Sequence, residues 1–165
     1  MTTSFRTHLG DAGATERAGR GLARGLAGGM VVTLSGDLGA GKTTFARGVL
    51  RGLGWQGPVK SPSYTLLEHY PLSSIYLYHF DFYRFADPRE WETVGAAEGF
   101  TPRTVALVEW PERVAGHLPP ADLAVRLAPA TGDATQGDGR TLEIVATTTA
   151  GERCVADIRQ ALEAP

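Results

Sequence analysis

Gly36-Asp37-Leu38-Gly39-Ala40-Gly41-Lys42-Thr43-Thr44 fits the pattern G-x-x-x-x-G-K-[ST] at every fixed position. Its flanks supply the matching context. The β-branched, apolar run Met30-Val31-Val32-Thr33-Leu34-Ser35 predicts a buried strand feeding the loop, and Thr43 to Leu50 predicts a helix leaving it. Glycines at 36, 39 and 41 let the backbone adopt positive φ and turn its N–H groups inward, so that phosphate oxygens meet a nest of donors at a helix N-terminus. Lys42 is then expected to reach the β- and γ-phosphates and the Thr43 hydroxyl to sit on Mg²⁺. The expected contacts of a nucleoside triphosphate are therefore Gly36, Asp37, Leu38, Gly39, Ala40, Gly41, Lys42, Thr43 and Thr44. A plain Gly-rich turn capped by threonine is the alternative, but such a turn requires neither the lysine nor this spacing.

The chain has 165 residues, which predicts one domain spanning 1–165, large enough to bury a core and too small for a separate substrate domain. Substrates or partners are then met by loops. With 16 basic and 18 acidic residues the formal charge is −2, which argues against gripping nucleic acid through a broad basic surface. Lys42 and Lys60 are the lysines among those 16 basic residues, the rest being arginine; we ascribe this to coding bias and draw no function from it. The single cysteine, Cys154, excludes an internal disulfide and a cysteine-rich zinc site and fits a reducing cytosol. The first residues lack the apolar core of a signal peptide and no window approaches a membrane span, so the expectation is a soluble, cytoplasmic protein.

Between Asp11 and Gly29, Ala18, Leu22 and Leu26 recur every four positions, predicting a helix that stops at Gly28-Gly29, although glycines at 13, 19, 21 and 25 weaken it. Arg17, Arg20 and Arg24 fall on its outward side. Ser61-Pro62-Ser63-Tyr64-Thr65 reads as a loop where a triphosphate-sensing segment is expected. Ile75 to Phe80 predicts a strand running into Asp81, and Val105 to Val108 a buried strand ending at Glu109. Three strands thus deliver the glycine loop, Asp81 and Glu109 at their carboxyl ends, the edge at which open α/β sheets bind ligands. Asp87-Pro88-Arg89-Glu90-Trp91-Glu92 carries a helix start. Asp122–Leu127 and Arg140–Thr147 predict a hairpin with a flexible tip at 130–139, and 151–163 a final helix or frayed tail. The expected fold is α/β: one P-loop NTPase-type domain, its central, mostly parallel sheet flanked by helices, with a C-terminal antiparallel hairpin.

A phosphate loop needs an acid that holds Mg²⁺ and a group that orients the attacking water. Asp81 and Glu109 are the catalytic and metal-ligand candidates beside Thr43, with Glu109 favoured for the metal or its water shell because Leu107 and Val108 lead into it at a strand end. Capping of the following segment is the alternative for each. His79 is expected to be a packed histidine. Arg84 stands three residues after Asp81, placed either to stabilise γ-phosphate charge or to pair with an acid. Trp110 follows Glu109 and packs beside the site, in the core or against a partner.

Taken together, Gly36 to Phe45, Ser61-Pro62-Ser63-Tyr64-Thr65-Leu66, His79-Phe80-Asp81-Phe82-Tyr83-Arg84 and Leu107-Val108-Glu109-Trp110-Pro111 closely resemble the TsaE (YjeE) family, in order and over most of the chain. Thr15 and Gly19 lie at a family-like distance ahead of the loop, and Thr15 and Arg140 are candidates for the edges of an adenine pocket. Ser63 stands where threonine is frequent, and Phe82 and Phe85 where leucine is frequent; no charge or ligand is lost. Ser61, Ser63, Tyr64, Thr65, Arg84 and Trp110 are the candidates for switch-like or partner-facing roles. The resemblance implies a Mg²⁺-dependent ATPase, weak in isolation, needed to form N6-threonylcarbamoyladenosine in tRNAs reading codons that start with A. It also implies the partners: a TsaB–TsaD heterodimer on which the protein acts, with TsaC functionally upstream and tRNA met only indirectly.

A small-molecule P-loop kinase is the nearest rival, but no Arg-rich lid stands out. A GTPase is disfavoured by the lack of an N-K-x-D or T-K-x-D motif. A third possibility is a nucleotide-gated assembly factor with little turnover.

Overall fold

The computed structural model describes residues 2–130 and 139–165. The strands are β1 (Thr3–Leu9), β2 (Val31–Ser35), β3 (Leu67–Pro71), β4 (Tyr76–Asp81), β5 (Thr104–Glu109), β6 (Leu123–Pro129) and β7 (Arg140–Ala146). The helices are α1 (Ala12–Gly25), α2 (Lys42–Gly52), α3 (Glu90–Thr93) and α4 (Thr149–Glu163), with 3₁₀ turns at Ala96–Gly99 and Pro111–Val114. All seven strands form one sheet in the order β1-β7-β6-β2-β5-β4-β3. Its centre, β6-β2-β5-β4, is parallel, and both margins are antiparallel. The sequence expectation of an α/β domain with a mostly parallel centre and a C-terminal hairpin is met; the tip of that hairpin, 131–138, lies outside the described residues.

The central strands read as continuous apolar runs because both faces are covered. On β2, Val32 and Leu34 face a core shared with α1, α2 and α4, through Leu22, Phe45, Val49 and Ile158, while Val31 faces a second core with Phe80, Phe82, Trp91, Val108 and Val114. Helix α1 starts where Asp11 caps it, its carboxylate accepting from Ala14 N at 2.7 Å. It ends at Gly25, earlier than the Gly28-Gly29 stop, and Arg17, Arg20 and Arg24 are exposed as expected.

The glycines that argued against α1 have a packing role. A Cβ at Gly19 would collide with the Phe45 carbonyl of α2, and one at Gly48 of α2 with the Glu16 carbonyl of α1, so the two helices cross with their backbones in contact. The C-terminal segment is a full helix with Thr148 as N-cap, bonded from Gly151 N at 3.1 Å. Helix α3 begins at Glu90, past Pro88, and is only one turn long. Two strands go beyond the sequence reading, β1 and β3, one at each margin of the sheet.

Among the described residues no helix is long and apolar enough to cross a membrane. Cys154 is buried on α4; burial first, then the charges of Asp157 and Asp122, push its thiol up to about 11. The thiol contribution to stability is therefore full below its unfolded pKa and lost as pH rises towards 11. Native protein at pH 8 is expected to resist thiol labelling that proceeds rapidly in urea. Gly19→Ala is expected to destabilise the protein by about 1–3 kcal/mol through overpacking, read as a lower urea midpoint with an unchanged slope.

Candidate active site

The glycine loop rises from β2 and enters α2 at Lys42, the first helical residue. Gly39 (φ +80°) and Gly41 (φ +101°) occupy the left-handed region, where a side chain would be strained. Gly41 is the N-cap and offers no capping side chain, so the first N–H groups of α2 remain available to an anion. The loop closes on itself through Ala40 N donating to Asp37 O at 3.0 Å and Phe45 N donating to Gly41 O at 2.9 Å.

Parallel pairing brings the acids to this loop. In register, Glu109 lies beside Leu34 of β2 and beside Asp81 of β4. Lys42, only 8% exposed, extends its Nζ to 3.2 Å from Glu109 Oε1 and 5.4 Å from the Trp110 ring centre. The other oxygen, Oε2, lies 2.7 Å from His79 Nε2. His79 is 1% exposed, and since a carboxylate only accepts, Nε2 carries the proton. Its Nδ1 is buried with no partner. Burial alone would raise the Glu109 carboxyl; the His79 hydrogen bond and charge, then Lys42, outweigh that and hold it below the ordinary value.

Asp81 moves the other way. Burial is the largest cause of its raised pKa and the Glu109 charge adds to it, against the Tyr83 N–H bond, Lys42 and His79. Its Oδ1 accepts from Tyr83 N at 2.9 Å. Neither Oδ2 nor the Thr43 hydroxyl takes a hydrogen bond from the described residues, whereas both Glu109 oxygens are engaged.

A cavity of about 890 Å³ opens over this floor. Thr15, Asp37, Leu38, Gly39, Gly41, Lys42, Thr43, Thr44, Asp81, Glu109 and Arg140 line it, as do Ser61, Ser63, Tyr64, Arg84 and Trp110. Of the expected residues, Gly36 borders a second cavity instead, Ala40 is buried beneath the loop, and Thr65 lies outside, bonded to Glu68 at 3.0 Å. Thr15 is buried, with its hydroxyl 3.4 Å from the Asp11 carbonyl. Arg84 makes no ion pair among the described residues and stacks over Tyr64, its guanidinium 4.8 Å from the ring centre. Trp110 is half-buried beside the site, not in the core, and takes the left-handed region (φ +57°), rare for a bulky residue and typical of functional sites.

Three contributors were missed from sequence, among them Ala12, which lines the cavity. Tyr83 lines the cavity, and His79 holds Glu109. The signal for His79 was available: it precedes Asp81 by two on one strand, so both share a face.

Residues 9–137 match the sequence model of the family described as threonylcarbamoyl adenosine biosynthesis protein TsaE. The chain belongs to the TsaE family. A relative from Haemophilus influenzae, named tRNA threonylcarbamoyladenosine biosynthesis protein TsaE, is 44% identical over 127 residues, 77% of each chain. One of the same name from Treponema pallidum is 42% identical over 113 residues, 68% of this chain and 83% of that one. The crystal structure of Bacillus subtilis YdiB superposes with a TM-score of 0.76 at 29% identity, covering 97% of both chains. In this chain the Lys42–Glu109–His79 cluster lies at the end of the central strands.

Replacing His79 by leucine leaves the buried carboxylate short of one partner. His79→Leu is expected to lower stability by about 1–3 kcal/mol, measured by urea unfolding at neutral pH.

Proposed function

We propose that this chain is the ATP-binding and hydrolysing component of the machinery that forms N6-threonylcarbamoyladenosine in tRNAs reading codons that start with A. It acts in the cytosol on a TsaB–TsaD complex, downstream of TsaC, and meets tRNA only through those partners, in keeping with its formal charge of −2. The observation that carries the reading is the buried ammonium of Lys42 at the mouth of an uncapped α2, within a cavity of nucleotide size.

The residues present fit Mg²⁺. Among the described residues there is no cluster of three or more acidic, His or Cys side chains able to hold a metal ion, and Mg²⁺ is instead bound through one or two carboxylates, hydroxyls, phosphates and water. Thr43 and Asp81 have unengaged oxygens for it, which reverses the preference for Glu109 drawn from sequence. The metal would neutralise charge on the phosphate oxygens. Lys42 binds the phosphates, and in doing so moves its ammonium from Glu109 to the nucleotide. Oε1 of Glu109 is thereby released to orient a water, while His79 keeps Oε2 in place. Tyr64, 86% exposed, and Arg84 form the outer wall towards a partner.

One observation favours the second reading, a nucleotide-gated assembly factor with little turnover: both Glu109 oxygens are occupied, so Glu109 is not free to act as a base before a phosphate arrives.

The test is labelled threonine incorporation into tRNA over many turnovers, with TsaC, TsaB, TsaD, bicarbonate and ATP. The wild-type chain is expected to stimulate incorporation and Lys42→Ala to abolish the stimulation. Absence of stimulation with active cognate partners would return the kinase reading.

A further inference from the structure

Two successive peptide units of the glycine loop are tied down by one side chain distant in sequence. Gly39 O accepts from Arg140 Nη2 at 2.9 Å, and Ala40 O accepts from Arg140 Nε at 3.0 Å. Nη1 of the same guanidinium donates to Gly139 O at 2.9 Å. Arginine has five N–H donors in a planar fork, and here backbone carbonyls take three of them. Arg140 is itself fixed, as the first residue of β7 paired with Leu9 on one side and Pro129 on the other.

All peptide bonds described are trans, so the C=O and N–H of each unit point in opposite directions. In the Gly39–Ala40 unit both ends are used, because Ala40 N also donates to Asp37 O. In the Ala40–Gly41 unit only the C=O is held. The Gly41 N–H finds no acceptor among the described residues, faces away from the guanidinium, and belongs to a residue that lines the cavity. Glycines at both 39 and 41 leave this stretch free to sample many conformations, and ordering it on ligand binding would subtract from affinity.

We propose that Arg140 is a positioning residue that touches the loop and not the nucleotide: by holding two loop carbonyls it presents the Gly41 N–H to a phosphate oxygen. Its effect is on the polyphosphate chain and is independent of the base. This rests on the nucleotide reading of the cavity and replaces the sequence expectation that Arg140 edges an adenine pocket.

Wild type, Arg140→Ala and Arg140→Lys are titrated with ATP and with inorganic tripolyphosphate, each with Mg²⁺, by calorimetry or by displacement of a fluorescent ATP analogue. Arg140→Ala is expected to weaken both ligands by the same factor, about tenfold, with the ligand-free unfolding midpoint little changed. Arg140→Lys keeps the charge but not the fork, and is expected to recover only a minor part of the loss. A weakened ATP with unchanged tripolyphosphate would place Arg140 against base or ribose and overturn the proposal. Full recovery by lysine, unchanged binding of both ligands, or a wild type that binds ATP without competition from tripolyphosphate would overturn it equally. Should Arg140→Ala fail to fold, Arg140→Gln carries the same comparison. A wild type that binds neither ligand sinks the nucleotide reading itself, which separates that failure from failure of the role given to Arg140.

Discussion

A lysine ammonium enclosed by protein governs the arrangement of this molecule. Transferring an isolated ammonium out of water costs several kcal/mol even after relaxation, and stripping its partner from a buried pair costs roughly 3–5 kcal/mol. Lys42 meets that constraint through Glu109, itself 4% exposed. Glu109 then needs its second oxygen satisfied, which His79 does from the neighbouring strand. The three residues come from α2, β5 and β4, so the cluster requires the helix start and both strand ends to converge. A phosphate offers the ammonium an alternative partner, and that exchange of partners makes a structural ion pair suitable for a functional one.

The convergence follows from the parallel centre of the sheet. Parallel strands all end on one side, so β2, β4 and β5 deliver the loop, Asp81 and Glu109 to one edge without any long excursion of the chain. Antiparallel strands at the margins do different work. Through β7 the C-terminal hairpin brings Arg140 back to the loop, about a hundred residues away in sequence, and stiffens from outside a segment whose glycines give it no stiffness of its own. The helical layer behind the loop packs by backbone contact at Gly19 and Gly48, seating α2 against α1.

What could be read from sequence was local, and what could not was non-local. The β2–loop–α2 unit, β4 and β5 were legible because buried parallel strands leave unbroken apolar runs and the phosphate pattern is contiguous. The margins were not. In β1, Thr3 and Thr7 alternate with Phe5 on the half-buried side, and in β3 only Tyr70 is buried, so neither gives the apolar signal of a strand. The glycines of α1 lower helix propensity, and their compensation lies on α2, out of reach of a single-segment argument. The candidate site was legible as a set of residue types, with all but Gly36, Ala40 and Thr65 lining one cavity. The partners of Glu109 and Arg140 were not, because they depend on which side chain meets Glu109 across the sheet and on which loop carbonyls Arg140 reaches.

Asp81 and Glu109 show why pairing, and not residue type, assigns chemistry. The two carboxylates sit side by side in register and are both buried, so burial pushes both towards the neutral form. Glu109 overcomes this with an imidazole and an ammonium and stays ionised, while Asp81 has one backbone N–H and the repulsion of its ionised neighbour, and is raised. Adjacent carboxylates with environments that separate their proton affinities are suited to different tasks. A dication entering the cavity would act mainly on Asp81, since the positive charge that this carboxylate lacks is already supplied to Glu109 by the protein. On the proposed reading the two ligands would be complementary: phosphate would draw Lys42 away from Glu109, and the metal would supply the charge that Asp81 is short of.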